Sequence, residues 1–337
     1  MSDTGAGPAE PLTPGRVWPL LQSLVGVGIL VALAAHLGTA PFVEGLRAVG
    51  IGPVLAALGI GVATTVFSAW RWCLVARSLG LRLSMGRAVA ECYRALFLNS
   101  VLPAGVLGDV NRAVSHGRRT GDLRQSIRAV VVERMAGQVV LVVFAAAVLI
   151  ARPNVLVAIY DLIPGRAAVL VAGIGVVVIA ALVLLLVRRP GRTANPSRFD
   201  TRLGNWTAVA ALSAAALLGY LTMFVIAARA AGSQSTVADL LPVLVLAMLA
   251  MGLPLSMGGW GPREAVTTAA FGAVGLGAAQ GLTVAVVYGT LSFVACLPGA
   301  GVLLLGFTHR EAGDGPAADR VATDGATGRR HDLGRVA

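Results

Sequence analysis

The sequence predicts an all-α integral membrane protein, with about six transmembrane helices and two re-entrant, broken helices arranged as an inverted-topology repeat. Three observations carry this. Of 337 residues, 56% are hydrophobic and 13% charged, with a mean hydropathy of +0.80, which is more apolar surface than one soluble core requires. The excess lies in runs of about 18 residues or more, enough to cross a hydrocarbon core of about 30 Å as helix, and too long for barrel strands. Finally, one proline-centred break occurs twice, and paired helix breaks in two halves of a membrane chain point to a binding site between them.

Taken in order, residues 1–15 are rich in Gly, Pro, Ala and Thr, a composition that cannot form a core and reads as a disordered tail. Residues 16–150 form a first membrane repeat. Its spans are expected at about 17–37, 51–70 and 129–150, with residues 41–50 as a connector. Trp70, Arg71 and Trp72 read as a membrane interface, where aromatic rings and a snorkelling arginine gather. Between the second and third spans, residues 88–106 are only moderately apolar and carry Glu91, Arg94, Asn99 and Pro103. Arginine-rich flanks on both sides favour a hairpin that enters and leaves on one face.

Residues 151–309 repeat the pattern. Spans are expected at about 167–187, 206–228 and 282–307, with a second hairpin from residue 239 through the second break and an external loop at 265–279. Residues 310–337 read as a second disordered tail.

All 27 basic residues counted as Lys or Arg are arginine, and the formal charge is +11. In this arrangement 21 arginines fall on one side and five on the other, with Arg134 inside a span. The positive-inside rule makes the first side cytoplasmic, with both termini there, in the plasma membrane. Such charge in loops suits topology and anionic lipid headgroups, and argues against nucleic acid as a partner. Three crossings per half, an odd number, turn the second half upside down relative to the first.

The two breaks are Asn99-Ser-Val-Leu-Pro-Ala-Gly-Val-Leu-Gly-Asp-Val-Asn-Arg112 and Leu253-Pro-Leu-Ser-Met-Gly-Gly-Trp-Gly-Pro-Arg263. Each has a glycine five residues after its proline (Gly108, Gly259) and an arginine nine after it (Arg112, Arg263). Pro103, Gly108, Pro254, Gly258, Gly259 and Gly261 supply bends and close approach. A restarting helix exposes N–H groups that favour an anion, and guanidinium binds oxyanions bidentately. Asp109 is expected as an N-cap, and Pro262 at a first helical position. Intramembrane charges need partners; the candidates are Asp109 with Arg112 or Arg134, Glu133 with Arg112, and Glu264 with Arg263. The expected substrate contacts are therefore Asn99, Asp109, Arg112, Glu133, Arg134, Arg263 and Glu264, with Arg112 and Arg263 facing one central cavity.

Cys73, Cys92 and Cys296 and the four histidines have no metal-ligand spacing. No nucleotide loop or Ser-His-Asp order is present either, so neither metal nor cofactor is expected.

At these residues the chain resembles the lysylphosphatidylglycerol synthase transmembrane region family, the flippase-like membrane half of multiple peptide resistance factors. The marks are Asn99, Leu102-Pro103, Gly108-Asp109 and Arg112; Glu133-Arg134; and Pro254, Ser256, Gly258-Gly259, Gly261 and Arg263-Glu264. Ala104, Leu107, Trp260 and Pro262 depart from the family's usual residues. The resemblance implies lipid translocation or a related role, and not lysyl transfer; the expected cargo is an anionic phospholipid or a polyprenyl-phosphate-linked lipid. The aminoacyl-transferring domain of full-length relatives is not expected in this chain, and the expected partners are anionic membrane lipids, a second copy or a separate lipid-modifying enzyme. Two other function classes remain open on sequence: glycosyl transfer from a lipid-linked sugar with Asp109 or Glu133 as base, and small-solute transport.

Overall fold

The computed structural model describes residues 14–102, 105–155, 157, 203–252 and 260–304. Ten principal helices make up this part: α1 (Pro14–Leu37), α2 (Ala40–Arg47), α3 (Ile51–Ser78), α4 (Met85–Val101), α5 (Leu107–Thr120), α6 (Leu123–Ala151), α7 (Leu203–Ala230), α8 (Val237–Met251), α9 (Pro262–Ala273) and α10 (Ala278–Cys296). The last continues, past a turn at Leu297, as an apolar helix to Leu304.

Four helices among the described residues are long and apolar enough to cross a membrane, namely α3, α6, α7 and α10 with its extension. A fifth crossing is available if α1 and α2, bent by 105° at their junction, act together. The span expected at 167–187 and the arginines at 188–202 lie outside the described residues, as do both tails beyond residues 14 and 304.

Local signals explain several helix ends. Asp122 starts α6 by accepting a hydrogen bond from the Gln125 amide at 2.9 Å, and Thr236 starts α8 by accepting from Asp239 N at 3.3 Å. Each side chain satisfies one of the amides that a helix start leaves without a partner.

Two expectations are corrected. Residues 41–50 are not a bare connector, because most of them form α2, which packs on α10. The stretch 265–279 is not a loop. Most of it is α9, which buries Thr267, Thr268, Ala270 and Phe271 against its neighbours. Its alanines are good helix formers, and its Gly-rich end is confined to the turn before α10.

The two halves share an element order. Helix α3 corresponds to α7, α4 to α8, α5 to α9 and α6 to α10. Their packing corresponds too: α3 packs on α6 and α10, and α7 on α10 and α6, while α4 reaches α10 and α8 reaches α6. Helices α3 and α7 run antiparallel through the middle. A Cβ on Gly219 of α7 would lie 2.5 Å from Thr64 Cγ2 of α3, so the small residue sets how closely the backbones approach. Lipid supplies little hydrophobic drive between helices, and such small-residue packing is what holds membrane bundles together.

Candidate charged cavity

The break in the first half lies between Val101 and Leu107, and Asn99 closes it. Its Oδ1 accepts from Gly108 N at 2.7 Å while its Nδ2 donates to Asp109 Oδ2 at 2.9 Å. One amide therefore satisfies an early N–H of α5 and holds the first-turn carboxylate. A Cβ at Gly108 would stand 2.2 Å from the Ala95 carbonyl oxygen, so only glycine lets α5 start this close to α4. Asp109 is not the N-cap: Val106 occupies that position without a side-chain bond, and Asp109 is the third residue of α5. Its charge still sits in the first turn, where the helix dipole favours an acid.

Around Asp109 gathers a five-charge cluster from three helices. Arg71 of α3 donates to Glu133 Oε1 of α6, through Nε at 2.9 Å and also through Nη2, and its Nη1 donates to Ser213 Oγ of α7 at 3.0 Å. Arg112 of α5 donates through Nη2 to Glu133 Oε2 at 2.6 Å. Its Nε lies 2.9 Å from Asp109 Oδ1, within ion-pair reach but outside hydrogen-bond geometry. Arg134 completes the set on Asp109 Oδ2. The Arg112 guanidinium also lies over the Trp72 ring, 4.9 Å from its centroid.

Three guanidinium groups against two carboxylates leave one positive charge in excess. Arg71, Asp109, Arg112 and Glu133 are buried, whereas the Arg134 side chain is 41% exposed. Desolvating the four buried ions is costly and is offset only when charges meet with good geometry. The ion pairs anticipated from sequence for Asp109, Arg112, Glu133 and Arg134 all form.

Trp70, Arg71 and Trp72 were expected together at the membrane interface, and of the three only Trp70 is exposed, at 51%. Trp72 is fully buried. The signal that finds Arg71 is periodic. Thr64, Ser68 and Arg71 stand four and three residues apart on α3, a polar stripe on one face of an otherwise apolar helix.

The cluster lines a cavity of about 420 Å³. Residues flanking both breaks reach this one space: Asn99, Ser100, Gly105 and Val106 from the first, and Met251, Gly252 and Trp260 from the second. Pro103, Pro254, Gly258 and Gly259 lie outside the described residues.

The second break is built differently. Gly261 has φ of +100°, a backbone shape that favours glycine. Its N–H donates to Glu264 Oε2 at 2.7 Å, and Pro262 opens α9 as expected from sequence. Arg263 donates to Glu264 Oε1 through Nε at 3.0 Å. Its guanidinium lies 4.8 Å from the centroid of Trp260 and 5.4 Å from that of Tyr288.

Arg263 and Glu264 are both fully buried and do not line the cavity, so the expectation that Arg263 faces it alongside Arg112 is corrected. The physical reason is register. Arg112 is the sixth residue of α5 but Arg263 the second of α9, so equal spacing from the prolines does not give equal position on the restarted helix. Glu91, also weighed from sequence, pairs with Arg94 and Ser115 away from the cavity.

No curated protein matches the chain significantly. The family model for the lysylphosphatidylglycerol synthase TM region matches residues 20–299, which takes in both breaks, the charged cluster and all ten helices except the start of α1 and the end of the α10 extension. The chain belongs to the lysylphosphatidylglycerol synthase TM region family.

Proposed function

We propose that this protein is a flippase-like carrier of the plasma membrane that lets the headgroup of an anionic lipid cross through the central cavity while its chains stay in the bilayer. The observation that carries the reading is the buried cluster of Arg71, Arg112, Arg134, Asp109 and Glu133, one positive charge in excess, on the wall of a cavity touched by both helix breaks. A monoanionic phosphate neutralises that excess, and guanidinium forks suit its oxygens. Small-ligand sites span about 300–1,000 Å³, so the cavity has room for a headgroup but not for a pair of acyl chains. Cytoplasmic termini, hairpins that re-enter from opposite leaflets and an inverted relation between the halves complete the proposal. The arginine distribution and the matched packing of α3 to α6 with α7 to α10 support them.

The enzyme alternative has less support. A general base needs an available lone pair aimed at substrate, and every oxygen of Asp109 and Glu133 faces a guanidinium. The direct test is reconstitution: purified protein in vesicles should move fluorescent anionic phospholipids or polyprenyl phosphates between leaflets. Retention of every such lipid in its original leaflet would refute the proposal.

A further inference from the structure

Resting on the lipid reading above, we infer that the cavity opens sideways into the bilayer through a window between the first helix break and α10. The hydrocarbon chains of the cargo cross an apolar sill of Leu96, Val106 and Phe293 while its headgroup meets the charged cluster.

The burial pattern of the wall locates the window. Most described residues of the lining are buried or half-buried, and the exposed ones are Leu96, Val106, Phe293 and Gly252. Gly252 caps α8 and has no side chain. The other three are large and apolar, with Leu96 36% exposed and Val106 and Phe293 each 41%. On α10, Phe293 begins a stripe of exposed side chains with Leu297 and Leu304, four and then seven residues apart, as one helix face requires. On the other side of the seam, Val106 leads to exposed Leu107 and Val110. The cavity wall and the lipid-facing surface are therefore continuous here. Ordinary lipid-facing residues differ: Val139 and Val143 of α6 are exposed and apolar but do not line the cavity.

Contacts at both ends frame the window. Toward the end of α10, Ser100 Oγ of α4 lies 3.1 Å from Cys296 Sγ, and a Cβ on Gly299 would stand 2.8 Å from Phe97 Cβ. At the other end, a Cβ on Gly289 would stand 2.8 Å from the Trp260 ring. Gly289 and Cys296 are seven residues apart, about 10 Å along the helix axis, and Phe293 lies between them. Extended hydrocarbon chains fit through such a gap. Val106 immediately precedes α5, and Asp109 of the charged cluster follows three residues later, about 4.5 Å further along. A phosphate held at the cluster thus places the first carbons of its chains at the sill.

The same chemistry selects the occupant. An apolar rim on a charged cavity suits a molecule that is anionic at one end and hydrocarbon at the other. A water-soluble ester gains nothing from it.

The test uses full-length protein in vesicles containing trace phosphatidylglycerol labelled on an acyl chain, or its one-chain lyso form labelled likewise, with rates taken per folded, monodisperse molecule. Phe293→Trp and Val106→Trp narrow the window. Each should slow the two-chain lipid about tenfold, the rate effect of a modest overpacking penalty, and the one-chain lipid less. Phe293→Ala widens the window and should keep at least the parental rate. Val143→Trp, on the lipid-facing side of α6, should change nothing. Parental rates in both window Trp variants, equal slowing of the two lipids, or loss of movement in Phe293→Ala as well would overturn the window while leaving carriage intact. Movement of neither lipid, nor of a polyprenyl phosphate, by the unaltered protein would instead overturn the carrier reading. Uptake of radiolabelled glycerol phosphate without lipid movement would assign the cavity to a water-soluble ester and overturn both.

Discussion

Arg71 and Glu133, on α3 and α6, are joined by two donors from one guanidinium to a single carboxylate oxygen, which leaves the other oxygen of Glu133 to Arg112. Glu133 is thus the hinge of charge between two arginines that would otherwise repel.

Glu133→Gln removes that counter-charge and leaves two buried guanidinium groups facing each other. Breaking a buried pair from one side typically costs about 3–5 kcal/mol, so the thermal midpoint of the purified protein in detergent should fall sharply. Replacing both members, Arg71→Met with Glu133→Leu, should recover part of the loss because one unpaired charge disappears. Equal stability of Glu133→Gln and the parent would show that the cluster is solvated.

Arg112→Lys keeps the charge but loses the fork that reaches both carboxylates. Each charge-assisted hydrogen bond contributes about 1.5–3 kcal/mol, so lipid movement should drop about tenfold or more while the protein still inserts. Arg112→Ala should abolish movement. Parental rates in correctly inserted Arg112→Ala would exclude a role in holding phosphate.

Arg263 should behave in the opposite way. Enclosed by Trp260, Tyr288 and Glu264, it stands behind two residues of the cavity wall without lining the cavity itself, and it supports the fold. Arg263→Ala leaves Glu264 buried without its partner, at about 3–5 kcal/mol. The expected result is a lower thermal midpoint and less monodisperse protein, with movement per folded molecule largely kept. A fully stable but inactive Arg263→Ala would move this arginine into the site.

Gly108→Ala places a methyl group 2.2 Å from a backbone oxygen of Ala95, and backbone cannot swing aside as a side chain can. The α4 and α5 hairpin should separate and folded yield should fall by more than it does for Gly28→Ala in α1, where nothing lies within 4 Å of the added atom. Equal yields of the two variants would show that the hairpin tolerates spreading.

Topology is open to a labelling experiment. With the three native cysteines removed, Ala273→Cys at the end of α9 should react with an impermeant thiol reagent from outside the cell. Reaction only after the cytoplasmic face is exposed would break the inverted relation between the halves.

Much of this architecture is visible in the residue order because bilayer thickness imposes a length on each apolar run, and Pro with Gly marks where a run must bend. The pairs around Asp109 and Glu133 were legible for a related reason, since an intramembrane charge demands a counter-charge. What the order conceals is rotation of each helix about its axis. Between two tryptophans, Arg71 resembles an interface anchor, and only its alignment with Thr64 and Ser68 shows that it points inward. Arg263 was concealed by its break: ten residues separate α8 from α9 but five separate α4 from α5, so counting from proline places the two arginines on different turns.

The five clustered charges all come from helices α3, α5 and α6 of the first half, and Ser213 is the second half's one direct hydrogen bond to them among the described residues. Under the proposed function, a carrier whose charged residues come from one half of its chain still obeys detailed balance. If it is coupled to no other source of work, it speeds inward and outward passage by the same factor, and the final ratio of lipid between leaflets is fixed by the lipid's own chemical potential. The lopsided charge can set how fast the traffic moves and which face saturates first. Direction must then come from whichever reaction removes the lipid on arrival.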